Sequence, residues 1–180
     1  MKYFATALML LSVAPWLAGQ GTPSTAPTAN PIITTVRQME GRYAKNLTGA
    51  ADEMPAAKYN YRPTPEQITF AHLIMHTAEA NNSLCAAVAS EKAPEVKIGE
   101  DDTKEVLSKA LKDSFAYCEQ ALAKADDSSL GQTVTLHEGQ TGTRGAALLH
   151  LVSGWADHYS AAAMYLRLNN LLPPSAQKSK

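Results

Sequence analysis

Four long stretches with apolar residues at helical spacing limit most strongly how this chain can fold. They lie at about residues 31–48, 65–91, 103–125 and 143–169, and segments rich in proline or glycine separate them. In each stretch the apolar positions recur every three or four residues, which is the period of an amphipathic helix. Outside them, only residues 133–136 resemble a short extended piece. The sequence therefore predicts an all-α fold in the form of a four-helix bundle.

Each predicted helix start carries a residue that can cap it, namely Asn30, Thr64, Thr103 and Thr143. Asparagine and threonine side chains accept hydrogen bonds from the first backbone amides of a helix, which have no partner inside the helix. Thr64 gives the clearest signal, because Gln67 can return the contact in a capping box and a proline occupies the first turn. We therefore expect the second helix to begin next to Thr64.

The N-terminal segment has the composition of an export signal followed by a linker. Lys2 supplies a positive start, residues 4–17 are nearly all apolar, and Ala18 and Gly19 are small enough for a cleavage site. A spanning helix needs about 20 apolar residues, and this run is shorter. We predict a signal peptide at residues 1–19, a flexible linker at 20–29 and the bundle domain at 30–176. The expected product is periplasmic or secreted, without a stable membrane anchor after cleavage.

Charge and cysteine content narrow the function further. The chain has 16 basic and 17 acidic residues, mixed along its length, so it lacks the basic patch of a nucleic-acid-binding protein. We expect no nucleic acid partner. Its two cysteines, Cys85 and Cys118, could form a disulfide in an oxidising compartment or remain two buried thiols.

Histidine spacing indicates where chemistry could occur. His72 and His76 lie four residues apart and share one face of the second helix, which is a familiar half of a metal site. His150 and His158 lie eight apart, or roughly 12 Å along the fourth helix, too far to bind one ion together. Counted from the predicted ends of the second and fourth helices, His76 and His158 lie at the same level if these helices pack antiparallel. His150 would then lie too far along the fourth helix to join them, so it is expected in the core or on the surface. Hydrogen-bonded core histidines are the simpler interpretation of the same pattern.

Residues 69–81 (TFAHLIMHTAEAN), 157–159 (DHY) and 165–175 (YLRLNNLLPPS) resemble the DinB-like family. That resemblance covers nearly the whole predicted domain and implies four helices in an up-down-down-up bundle. It also implies that the second and third helices are parallel, which brings Cys85 and Cys118 towards the same end and makes a disulfide plausible. Such bundles commonly dimerise, so a homodimer is one expected assembly.

The resemblance also implies a set of metal ligands. Many members hold a divalent metal through one histidine of the second helix and two histidines, four residues apart, of the fourth. His76 matches the first of these and His158 matches the last, whereas the remaining position is Gly154. Ser160 and Ala161 replace the glycine and amide that usually follow the last ligand.

Two functions are compatible with this departure. In the first, the site is degenerate and the soluble bundle binds a small molecule or a partner, or has a structural role. In the second, His72 replaces the missing ligand, and His72, His76 and His158 hold one divalent ion of the zinc, nickel or manganese class. The chain would then be an enzyme of thiol transferase or hydrolase type. The resemblance assigns no catalytic residue and no substrate to this chain.

Overall fold

The computed structural model describes residues 29–136 and 139–177. Its helices are α1 (Pro31–Glu53), α2 (Phe70–Ala89), α3 (Lys104–Ala123) and α4 (Arg144–Leu168). Strands β1 (Thr133–Thr135) and β2 (Thr141–Thr143) pair antiparallel just before α4. The predicted four-helix architecture is confirmed, and the extended piece is one strand of this small hairpin. The predicted signal peptide, most of the linker and His137 lie outside the described residues.

The helices form a bundle in which α1 and α2 each pack against both α3 and α4. Lys104, at the start of α3, donates to the carbonyl oxygens of Asp52 and Met54 at the end of α1, so these two helices are antiparallel. The Asn81 side chain of α2 donates to Ser114 of α3, four residues before the bridged pair Cys85 and Cys118, so α2 and α3 are parallel. This is the up-down-down-up order that the resemblance implied.

The Cys85–Cys118 disulfide joins α2 to α3 with a Cα–Cα distance of 5.2 Å. Both residues are fully buried. Because parallel helices need a connection that returns along their length, residues 90–103 run back from the end of α2 to the level of its start. Of the two alternatives that the sequence left open for the cysteines, the structure has the disulfide, and the parallel crossover that the resemblance implied is present with it.

Two predicted helix ends are wrong. The first helix continues past Thr48 to Glu53, because Ala50 and Ala51 extend its buried stripe. The second helix begins at Phe70 with Thr69 as its N-cap. The Thr69 hydroxyl accepts a hydrogen bond from the backbone amide of His72. The expected capping segment at Thr64 forms an isolated turn instead.

Burial of an aromatic side chain explains the later start of α2. Phe70 is fully buried between Tyr59 and Tyr165, with ring centroids 5.2 and 6.0 Å away, whereas Ile68 is 42% exposed. The backbone amides of Phe70 and Ala71 bond to the carbonyl oxygens of Tyr61 and Tyr59. The tertiary contact therefore outweighs the local capping signal.

The N-terminus of α1 is capped by a residue from a distant part of the chain. Asn30 has a left-handed conformation (φ 54°) and makes no side-chain cap to its own helix. The carboxylate of Asp127 instead accepts from the amides of Ile32 and Ile33, each at 2.9 Å. The Asn30 side chain in turn accepts from the amide of Asp127 at 3.0 Å. A negative charge at a helix N-terminus is also favoured by the helix dipole.

Replacing Asp127 with alanine is expected to lower the free energy of unfolding by about 1 to 2 kcal/mol, since two amides of α1 lose their acceptor. Urea denaturation followed by circular dichroism measures the change. Asp101→Ala, which removes an exposed carboxylate elsewhere, is the matched control. An equal effect of the two substitutions would contradict the capping role.

None of the helices in the described ranges has both the length and the apolar character that a membrane span requires. Their buried faces form one core that includes Trp155 and Tyr165 of α4, Phe70 of α2 and Phe115 of α3. This core sets the relative height of α2 and α4, on which the candidate site depends.

Candidate functional site

A cavity of about 480 Å³ opens between α2 and α4 at the level of the histidines. Imidazole rings line it together with small and apolar side chains and one carboxylate. We call it the histidine pocket, and its lining residues are His76, Ala80, Leu84, His150, Ser153, Gly154, Asp157 and His158.

The structure brings His76 and His158 into contact, as the level argument predicted. Their ring centroids are 5.1 Å apart and the rings meet edge to face at 80°. Because the start of α2 is later than expected, helix ends do not explain this register. Two other contacts do, since the Tyr165 hydroxyl donates to the carbonyl of Ile68 and Trp155 Nε1 donates to Asn81.

Burial favours the neutral form of His158. Loss of solvent lowers the pKa of His158, the neighbouring His76 lowers it further, and Asp157 opposes both effects. A neutral imidazole has one hydrogen-bond donor and one acceptor. At the inner wall of the pocket, the neutral form of His158 can both donate and accept a hydrogen bond.

Gly154 leaves a gap in the wall of the histidine pocket one helical turn before His158. A Cβ atom at this position would have one neighbour within 4 Å outside its own turn of helix, the Cε1 atom of His158 at 3.7 Å. That distance is an ordinary van der Waals contact, so the site has room for a side chain. Glycine in a helix interior costs roughly 0.5 to 1 kcal/mol relative to alanine, and packing does not require it here.

His72 lies one turn before His76 but is held by a different part of the chain. Its Nδ1 atom is 2.9 Å from the Glu100 carboxylate, which belongs to the crossover between α2 and α3. The rings of His72 and His76 are nearly parallel, at 16°, with centroids 6.4 Å apart.

The ring spacings test how well the three histidines fit one ion. Two imidazoles bound to a tetrahedral ion at about 2.0–2.1 Å have ring centroids roughly 5 Å apart. The His76–His158 spacing of 5.1 Å agrees with this geometry, whereas the His72–His76 spacing of 6.4 Å does not. Within residues 29–136 and 139–177, no three histidine, cysteine, aspartate or glutamate residues are grouped to hold a metal ion. Among the described residues, His76 and His158 have a spacing compatible with one shared ion and no third ligand is grouped with them.

Residues 41–162 match the family model described as the DinB superfamily. The chain belongs to this superfamily. The matched segment contains all of α2 and α3 and extends through His158. No functionally curated protein has a significantly similar sequence.

Solved structures share the DinB fold at low sequence identity. A DinB-like protein from Bacillus cereus ATCC 10987 has a TM-score of 0.66 at 14% identity, with 79% of this chain and 95% of that chain covered. A DinB-like protein from Bacillus subtilis has a TM-score of 0.63 at 14% identity, with 80% and 99% covered. A mycothiol-dependent maleylpyruvate isomerase has a TM-score of 0.58 at 17% identity, with 71% of this chain and 59% of the isomerase covered.

Sequence reasoning missed the roles of three residues in or near the histidine pocket. Glu100 pairs with His72 across 28 residues, and no local pattern announces it. His150 was expected in the core or on the surface. It is exposed, and it also lines the histidine pocket. Asn81 is buried and links three helices through Ser114 and Trp155. A signal for Asn81 was available, because it lies on the apolar face of α2 where a polar residue needs partners.

Proposed function

We propose that this DinB superfamily member is an extracytoplasmic binding protein that takes a small polar molecule into the histidine pocket, and that its metal site is degenerate. The volume of about 480 Å³ falls within the usual range of small-molecule sites. The pocket combines apolar side chains with a few convergent polar groups, as such sites usually do. His76 and His158 would donate to and accept from the ligand at the inner wall, and Asp157 and His150 lie exposed at its rim.

Gly154 is the observation that carries the proposal. It stands where the family resemblance expects a histidine ligand, and it leaves His76 and His158 without a third ligand at suitable spacing. The same absence of a side chain gives the pocket part of its volume. A missing ligand and an open cavity therefore have one cause in the sequence.

The proposed location outside the cytoplasm rests on two features. The N-terminal segment has a positive residue, an apolar run and small residues in the order typical of an export signal. The Cys85–Cys118 disulfide is the second, because disulfides persist in oxidising compartments and are rare in the cytosol of mesophiles.

The His72–Glu100 pair favours a second candidate function, that of a metal-dependent enzyme of thiol transferase or hydrolase type. Histidines that bind metals commonly donate their other ring nitrogen to a carboxylate, which orients the ring and raises its basicity. Glu100 stands in this relation to His72. The likeness to the mycothiol-dependent isomerase shows the fold alone, at 17% identity.

Metal content of the purified protein separates the two functions. After loading with zinc, nickel and manganese, elemental mass spectrometry is expected to find no stoichiometric metal in the wild type and about one equivalent in Gly154→His, because the substitution restores a three-histidine set. Gly154→Ala is the matched control and should remain without metal. Stoichiometric metal in the wild type that is lost in both His72→Ala and His76→Ala would instead establish the rearranged histidine site and justify an activity screen with thiols and hydrolysable substrates.

Ligand binding is tested separately by screening small polar molecules against the protein with ligand-observed NMR. Molecules that bind the wild type are expected to lose binding in Gly154→Leu, which fills the gap in the pocket wall and keeps every histidine. Leu149→Ala, an exposed position of α4 outside the pocket lining, is expected to leave binding unchanged. Equal binding by the wild type and Gly154→Leu would place the ligand elsewhere.

A further inference from the structure

A second cavity, of about 360 Å³, opens on the opposite part of the bundle, between α1 and α3. It shares no residue with the histidine pocket and is rich in charged and polar groups. We call it the Glu40 cavity, and it is lined by Thr34, Arg37, Gln38, Glu40, Gly41 and Glu119.

Glu40 is the unusual residue of this cavity. Its relative exposure is 7%, although a glutamate is almost never buried without a partner. Among the residues that the structure describes, none hydrogen-bonds to its carboxyl group or forms an ion pair with it. Its carboxyl oxygens keep some access to solvent, since Tyr117 Oη and Arg144 Nε are the fully buried side-chain atoms that lack a hydrogen-bond partner within the described residues. Glu40 lines the cavity, so water or a ligand there can reach its carboxyl group.

The charged neighbours of the Glu40 carboxyl are the residues that line the cavity with it. The pKa of Glu40 is raised from its ordinary value of 4.5 to about 7, mainly by burial and also by the Glu119 carboxylate on α3, while Arg37 on α1 partly opposes the rise. Arg37, Glu40 and Glu119 all line the cavity, but no cation of the described residues forms an ion pair with the Glu40 carboxyl group. The cavity therefore offers a carboxyl acceptor that is free to meet a bound cation.

We infer that the Glu40 cavity is a binding site for a small organic cation that carries a primary ammonium group. With both carboxylates ionised and Arg37 charged, the three groups carry a net charge of −1, which one monovalent cation neutralises. An ammonium group has three donors. These could reach the two carboxylates and the neutral oxygens of Gln38 or Thr34.

A divalent metal fits this cavity less well than an ammonium group. Two carboxylates make a small ligand set for a metal ion, and the guanidinium of Arg37 opposes a double charge more strongly than a single one. The volume also suits a molecule of several non-hydrogen atoms, since small-molecule sites begin at about 300 Å³.

Binding is tested with a series of primary amines, from ethylamine to 1,4-diaminobutane, each matched with the alcohol of the same carbon skeleton. The amide resonances of Gln38 and Gly41 are followed by NMR during titration of the purified protein at pH 7. Saturable shifts are expected with the amines and not with the alcohols. Glu40→Gln is expected to weaken amine binding at least tenfold, and Glu119→Gln should also weaken it. Glu66→Gln, an exposed position outside the cavity, is the matched control and should bind as the wild type does.

Proton release on binding is a second measurement, and it distinguishes the Glu40 cavity from nonspecific binding of amines at the surface. Since the pKa of Glu40 is raised to about 7, amine binding in an unbuffered salt solution near that pH should release protons from the wild type and none from Glu40→Gln. Circular dichroism confirms that each variant is folded. Failure of every amine to saturate, unchanged affinity in both Glu40→Gln and Glu119→Gln, or saturation by calcium or magnesium in place of amines would overturn the proposal.

Discussion

Removing the Cys85–Cys118 disulfide is expected to lower the free energy of unfolding by about 3 to 4 kcal/mol. The bridge spans 33 residues of sequence, and closing a loop of that size restricts the unfolded chain by roughly this amount. Both sulfur atoms are fully buried, so the double substitution to alanine also leaves a small cavity that adds to the loss of the bond. Urea denaturation of the oxidised wild type and of Cys85→Ala/Cys118→Ala measures the difference.

Reduction provides the control for this experiment. The wild type in excess reductant should lose about the same stability as the double variant, whereas the double variant should not respond to reductant. A difference of less than about 1 kcal/mol between the oxidised wild type and the double variant would contradict a stabilising bridge.

Replacing Glu40 with glutamine is expected to raise the free energy of unfolding above that of the wild type by an amount that depends on pH. This difference should be larger at pH 8 than at pH 4.5 by as much as about 3 kcal/mol. The pKa of Glu40 is about 7 in the folded state and near 4.5 in the unfolded chain, so the folded state holds more protons between these values. The contribution of the protonated Glu40 carboxyl group to the free energy of unfolding is therefore fully present below pH 4.5. It declines as the pH rises to about 7. A shift of one pKa unit corresponds to about 1.4 kcal/mol, which sets the upper limit.

Urea denaturation at a series of pH values from 4.5 to 8 tests this linkage. The stability advantage of Glu40→Gln over the wild type should grow through that range and then level off. Glu66→Gln, at an exposed position, should follow the wild type at every pH. A parallel pH dependence of Glu40→Gln and the wild type would show that Glu40 titrates normally in the folded protein.

Much of the candidate site could be predicted from sequence. The spacing of His72 and His76 places them on one face of α2, and the contact of His76 with His158 followed from the antiparallel level of two helices. That inference used a start of α2 that is five residues too early. The pairing is nevertheless observed because the core contacts of Tyr165 and Trp155 set the register of α4 against α2.

Other contacts could not be predicted from local sequence patterns, because the residues that form them are far apart in the sequence. Glu100 meets His72 because the crossover must return to the start of α2, and Asp127 caps α1 from 94 residues away. Glu40 reads as one more polar residue on α1, and its burial depends on how α3 packs over it.

The sequence alone determined the number of helices, their amphipathic faces and the caps at Thr103 and Thr143. Each of these depends on residues within a few positions of one another, whose relative placement in a helix is set by its period. The tertiary structure decided where α2 begins, which carboxylate caps α1, how His72 is oriented and whether Glu40 has a partner. These features depend on packing between elements, where burial of one aromatic ring can outweigh a local capping signal because it removes more apolar surface from water.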